Sequence, residues 1–216
     1  MHVPKTKTEL MSLIAQDIPG DQIDVSHITD MSRLFVNSPY YNHPLDSWDV
    51  SNVTNMDHMF EGSLYNHPLG SWDTRSVKSM YCMFYRSQYN HPFGSWDVSN
   101  VIIMNGMFAW SQYNHPLNSW NTSQVMYMRY MFKKSKYDHP LDLWNVNLVT
   151  NMDYMFQYSV FNHPLNNWQI RKRCSIRYMM EGSKYTCRPR KIQKRRDLES
   201  YPSFNYNVYY HSRLLF

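Results

Sequence analysis

A His-Pro pair falls at residues 43, 67, 91, 115, 139 and 163 of this 216-residue chain, a constant step of 24. Tryptophan follows each pair in step, as Trp48, Trp72, Trp96, Trp120, Trp144 and Trp168. Methionine recurs at 56, 80, 104, 128 and 152 and again at 59, 83, 107, 131 and 155, and phenylalanine closes each set at 60, 84, 108, 132 and 156. Twelve of the sixteen methionines occupy these two slots, counting Met31 and Met179, so the unusual composition belongs to the repeat. A fixed period of this length restricts the chain to architectures in which each unit buries its apolar face on its neighbours. A half-unit at Asp24–Met31 comes first, with one extra residue near Ser38-Pro39. A decayed unit comes last: Glu181–Tyr185 keeps the phase, but Thr186-Cys187-Arg188 replaces Asn-His-Pro.

Each unit can be read locally. Proline fixes its own φ and pushes the preceding histidine out of the helical region, and asparagine can close an Asx turn, so Asn-His-Pro predicts a bend. Leu-x-x-Trp-Asp-Val predicts a short extended segment with Leu45 and Trp48 inward. Ser51-Asn52 offers an N-cap. Val53, Met56, Met59 and Phe60, at i, i+3, i+6 and i+7, predict two turns of helix. The expected fold is therefore an α/β repeat solenoid, a leucine-rich-repeat-like stack of one short strand plus one short helix per coil. Thr6-x-x-Glu9 is a capping box, and Leu10, Met11, Leu13 and Ile14 continue at helical spacing until Pro19-Gly20. That predicts an N-terminal helical cap over 6–18. The domain reading is residues 1–23 as the capping region, 24–188 as six to seven 24-residue repeats, and 189–216 as a basic, aromatic C-terminal extension.

The residues that carry the repeat, LDSWDVSNVTNMDHMFEGSLYNHPL over 45–69, resemble the BspA-like leucine-rich-repeat surface-protein family. The resemblance covers residues 24–185 and differs chiefly in placing histidine in the turn. It implies a solenoid that binds other macromolecules, with no enzymatic activity and no cofactor. It also implies relatives among protists, bacteria and large DNA viruses.

Several chemistries can be weighed against the repeat. The ladder His43, His67, His91, His115, His139 and His163 supplies at most two neighbouring imidazoles at any point, whereas a zinc site needs three or four converging ligands. Those histidines are expected to be neutral and hydrogen-bonded within or between turns, and the six tryptophans to form a buried ladder. The series Asp49, Asp73 and Asp97 changes to Asn121 and Asn145, which suits a structural slot more than a calcium roll. No G-x-S-x-G elbow, P-loop or HExxH is present, so no catalytic residue, metal or cofactor is expected. Three cysteines without a CxxC pair are read as reduced structural thiols.

Charge is uneven. Residues 171–196 hold eleven Lys/Arg against Glu181 alone, while 1–170 hold ten against fourteen Asp/Glu. Arg171, Lys172, Arg173, Arg188, Arg190, Lys191, Lys194, Arg195 and Arg196 are the candidate contacts for a protein partner or for nucleic acid. The leading expectation is a non-enzymatic repeat scaffold that mediates protein–protein interaction with a partner or a neighbouring subunit. The alternatives are a structural component of a larger assembly such as a virus particle, docked by the C-terminal extension, and nucleic-acid binding through 171–196. No membrane span, small-molecule substrate or signal peptide is read, which favours an intracellular place or a virus particle over secretion.

Overall fold

The computed structural model describes residues 1–187. Among them there is one α-helix, α1 (Lys7–Ala15), followed by a 3-10 turn at Gly20–Gln22. No strand forms. Successive units are joined by single parallel bridges, Asp30 to Asn55, then on to Ser79, Ile103, Tyr127, Asn151 and Ser175. The 24-residue units therefore stack in chain order, each against the next.

The backbone donors explain why neither helix nor strand develops inside a unit. Along Met56–Ser63, every second N–H leaves its own unit. Met56 donates to Ser79 at 3.0 Å, His58 to Tyr81 at 2.7 Å, Phe60 to Met83 at 2.9 Å and Gly62 to Tyr85 at 2.8 Å. The residues between close local turns instead: Met59 donates to Met56, Glu61 to His58 and Ser63 to Phe60. An α-helix would need all of these donors to reach back four residues within the unit. A strand would need the local turns gone. The third residue of the first and last of these turns takes a left-handed backbone, as a type II turn requires: His58 at φ 57° and Gly62 at φ 66°.

These bonds overturn the expected α/β solenoid of leucine-rich-repeat type, with a strand and a helix per coil. The Val53, Met56, Met59, Phe60 spacing comes from consecutive tight turns, which point every third or fourth side chain inward as a helix does. The Leu-x-x-Trp segment is also a turn, closed by Trp48 N–H donating to Leu45. Ser51 caps no helix. Its N–H is instead held by Asp49 Oδ1 at 3.0 Å, and Ser99 is held by Asp97 in the same way at 2.8 Å. Asn121 and Asn145 repeat this Asx turn without a charge.

The interior is a set of side-chain columns. Phe35, Phe60, Phe84, Phe108, Phe132 and Phe156 are fully buried and stack face to face at 4.9–5.8 Å. The paired methionines from Met56 to Met155 are buried beside them. Each large apolar side chain removed from water contributes on the order of 1.5–3 kcal/mol, so this interior is the main favourable term. The indole nitrogens are satisfied from the preceding unit. Trp72 Nε1 donates to Leu45 O at 2.8 Å, and Trp96, Trp144 and Trp168 do the same to Leu69, Leu117 and Leu141.

The first unit has no such predecessor, and the N-terminal segment supplies one. Thr6 Oγ1 caps α1 by accepting from Glu9 N–H, while Glu9 Oε2 accepts from Lys5 N–H one residue before the cap. The helix is shorter than the expected 6–18. It buries Leu10 and Ile14 in the common core. Trp48 Nε1 then donates to Gly20 O at 2.9 Å, in the role that Leu45 plays for Trp72. A Cβ on Gly20 would run into the Pro44 carbonyl and the Leu45 side chain.

Two outcomes are expected. Gly20→Ala lowers unfolding free energy by about 1–3 kcal/mol, an overpacking cost measurable in guanidinium; an unchanged midpoint would contradict this packing. The second concerns acid. The Asp49 and Asp97 carboxyls are held below their usual range by the hydroxyl and N–H of Ser51 and Ser99, and that of Asp73 by the Arg75 side chain. A lowered folded pKa contributes stability that is full above the unfolded value of about 3.9 and is lost as pH falls through the folded value. The triple variant D49N/D73N/D97N should therefore show a flatter loss of stability below about pH 4 than the parent, as judged by melting curves across the acid range.

Candidate ligand-facing surface

The six turn histidines are half-buried. His91, His115, His139 and His163 each donate from Nε2 to the carbonyl of residue 66, 90, 114 or 138 in the unit before, at 2.8–3.0 Å. A carbonyl partner places the proton on Nε2. His43, with no repeat unit before it, meets Asp17 Oδ1 at 3.1 Å instead. Each ring, that of His67 included, stands edge-on to the aromatic two residues earlier, at 5.2–5.9 Å. The neighbouring asparagines do not close turns within their own unit. Asn66 Oδ1 accepts Asn90 N–H at 2.9 Å, Asn90 accepts from Asn114, and Asn114 from Asp138. The six tryptophans are buried, with Trp120 stacked on Trp144 at 6.5 Å. These two ladders hold units together. Among the described residues no three His, Cys, Asp or Glu converge as a metal site, and no helix is long and apolar enough to cross a membrane.

Of the basic candidates, Arg171, Lys172 and Arg173 are exposed on the last described unit. They line a shallow depression of about 460 Å³ with Val149 and Thr150. Arg188, Arg190, Lys191, Lys194, Arg195 and Arg196, and the whole 189–216 extension, lie outside the described residues.

A different cluster of cations is assembled by the left-handed turns. Two slots per unit take positive φ, and they are occupied mostly by residues other than glycine. One slot runs His58, Cys82, Gly106, Tyr130, Tyr154, Tyr178 and the other Gly62, Arg86, Trp110, Lys134, Tyr158, Gly182. A non-glycine residue there costs about 1–2 kcal/mol, and the packed stack holds it in place. The side chains of the second slot form a column along the stack, in which cations alternate with rings. Arg86 lies 5.3 Å from the Trp110 ring, Lys134 lies 4.1 Å from the same ring, and Lys134 also sits 5.4 Å from Tyr158. Beside this column, Arg129 and Lys133 lie over Tyr130 at 4.4 and 5.1 Å, and both reach the Tyr154 ring. Tyr154 stacks in turn on Tyr130 and Tyr178.

Beside Trp110 the Met104 unit carries only Asn105, Gly106 and Ala109, where the next unit has Arg129, Tyr130 and Lys133. The gap opens a groove of about 700 Å³ whose lining includes Cys82, Gly106, Ala109, Tyr85, Trp110, Tyr130 and Lys133. Burial pushes the Cys82 thiol up to about 12, and Glu61 adds to the effect. The Lys133 ammonium is pushed below its usual range by burial and then by the like charges of Lys134 and Arg129.

Sequence reasoning missed this surface because it followed the slots that repeat. The position after the first methionine also varies, as Asp57, Tyr81, Asn105, Arg129 and Asp153. In alternate units that residue is structural. Asp57, Asn105 and Asp153 each accept the backbone N–H of the residue 24 positions later. The informative signal lies in the variable slots, the two left-handed ones among them.

A family model described as "Mycoplasma protein of unknown function, DUF285" matches residues 6–112 and again 87–191. No curated protein matches the chain, and no solved structure does.

A thiol held near 12 is almost wholly protonated at neutral pH and is a poor nucleophile. Cys82 should therefore be alkylated by iodoacetamide at pH 8 on the order of a hundredfold or more slower in the native protein than in denaturant, read by peptide mapping. Equal rates would place the thiol in water and contradict the groove.

Proposed function

The chain belongs to the DUF285 family, a repeat family of unknown function, and from that premise we propose that it is a BspA-like, non-enzymatic scaffold that binds another protein. One observation carries the reading. The slots that build the interior keep their residue type from unit to unit, while the two left-handed slots change residue type and carry the exposed Trp110, Tyr158 and Tyr178 together with Arg86 and Lys134. Trp110, Tyr158 and Tyr178 are 39%, 51% and 57% exposed, large fractions for side chains of this size. Tryptophan, tyrosine and arginine are the residues most enriched where protein interfaces concentrate their binding energy. Left-handed turns are a rigid way to present them, because the stack has already fixed the backbone. The protonated Cys82 thiol in the groove agrees with a binding role and not with nucleophilic chemistry.

The test compares three forms of the tagged full-length chain in quantitative affinity capture from source cells. The double variant W110A/Y158A should lose specific partners by roughly tenfold or more, as expected of aromatic anchors. Leu143→Ala, which alters an exposed residue outside the groove lining, should retain them. Equal recovery by all three would reject this surface as the binding site.

A further inference from the structure

We infer that the strip from the Met80 unit to the Met152 unit binds an acidic peptide segment in extended form, with one apolar side chain of that segment seated over Gly106 and Ala109. The inference rests on the protein-binding role above and specifies the partner's chemistry.

Three observations point to an anion. Among the described residues no carboxylate comes within ion-pair distance of Arg86, Lys133 or Lys134, whose charges are held over rings instead. A cation over a ring keeps its N–H donors directed to the side, where an incoming carboxylate meets them. Lys133 and Lys134 are adjacent in sequence, and their mutual repulsion is relieved by a bound negative charge. The strip is also bounded by acids: Glu61 lies at one end and Glu181 at the other. Glu61 is engaged by His58 Nδ1 at 2.5 Å, and Glu181 by Gln157 Nε2. A run of negative charge is thereby confined to the units between. At a spacing of about 4.8 Å per unit the strip is roughly 15–20 Å long, the reach of about five or six extended residues.

The same geometry argues against a nucleic-acid strand. Strand binders stack bases on bare aromatic faces. Here the Trp110 ring has Arg86 from the unit before and Lys134 from the unit after, and Tyr130 and Tyr154 cover each other. The ring edges and the cations remain available, and these suit carboxylates. Gly106, Ala109 and the Cys82 thiol lie together in the groove lining beside Trp110, and these small residues are where an apolar side chain of the segment would be seated. The chain's own segment 188–196 is unsuited to the strip, since it carries Arg188, Arg190, Lys191, Lys194, Arg195 and Arg196 and no acid.

The probe is a fluorescent peptide of alternating glutamate and leucine, titrated with full-length protein by anisotropy. The controls are its glutamine counterpart and a single-stranded oligothymidylate. Two triple variants remove equal charge, R86Q/K133Q/K134Q in the strip and R171Q/K172Q/R173Q in the separate depression. The parent should bind the Glu-Leu peptide and bind its glutamine counterpart at least roughly tenfold more weakly; the strip variant should lose roughly tenfold or more in affinity. The other triple variant should stay within about twofold, as for remote surface charges, and both variants should melt cooperatively. Absence of Glu-Leu binding by the parent overturns the inference, as does equal loss in both variants. Tighter binding of oligothymidylate would make the occupant a nucleic acid, and a dimer in light scattering that only the strip variant dissolves would make it a second copy. If W110A/Y158A still loses its captured partner while the acidic peptide fails to bind, only this inference falls; if neither assay depends on the strip, both readings fall.

Discussion

Everything in this structure depends on one division of labour among backbone donors. In the Met-x-x-Met-Phe stretch, alternate N–H groups cross to the carbonyls of the next unit, and those between them close local turns. A lone unit would leave its crossing donors to water, and its Phe and Met side chains would have no neighbours. The unit of stability is therefore the pair, and cooperativity is expected to spread along the stack as in other repeat proteins. The left-handed residues follow from the same constraint. A turn that must release every second donor sideways places its third residue at positive φ, whatever side chain the sequence supplies there.

The sequence made the stack legible and pointed to the wrong secondary structure. The 24-residue step of Trp48 through Trp168 identified residues that face inward, and it identified the histidines as parts of a repeated turn. It did not distinguish a helix from consecutive turns, because both bring residues three and four apart to one face. Val53, Met56, Met59 and Phe60 satisfy either geometry. What separates the two is the destination of each N–H, which depends on a chain segment 24 residues away. The same holds for Asn66 and its successors, whose side chains read locally as turn formers yet bind the unit that follows. The ligand-facing surface was harder still to see. Arg86, Trp110, Lys134 and Tyr158 are scattered in sequence and share no residue type. They form a column only when the units are superposed at the correct offset.

The columns also show how a strained backbone and an exposed surface coexist. Positive φ at Arg86, Trp110 or Lys134 is unfavourable taken alone. Stacking a cation on a ring returns part of that cost, on the order of 0.5–1 kcal/mol at exposed sites. The arrangement keeps the charges apart from acids. A basic, aromatic face thus persists on a body that is otherwise slightly acidic.

The half-unit at the start shows what the stack permits in the way of length. Phe35 donates to Met59, 24 residues on, whereas Phe60 donates to Met83, 23 residues on, so one surplus residue lies in the earlier unit. By Pro39 the regular offset has returned, since Leu64 donates to Pro39 as Gln88 does to Ser63. The surplus is thus absorbed between Phe35 and Pro39, in the bend that leaves the aromatic core, and the tryptophan and asparagine ladders run on undisturbed. A gene encoding such a chain can gain or lose copies in multiples of 72 nucleotides with every ladder re-formed across the join. Single-codon changes are tolerated only where the path turns away from the core. The array's copy number is the freely evolvable quantity, and its phase is not.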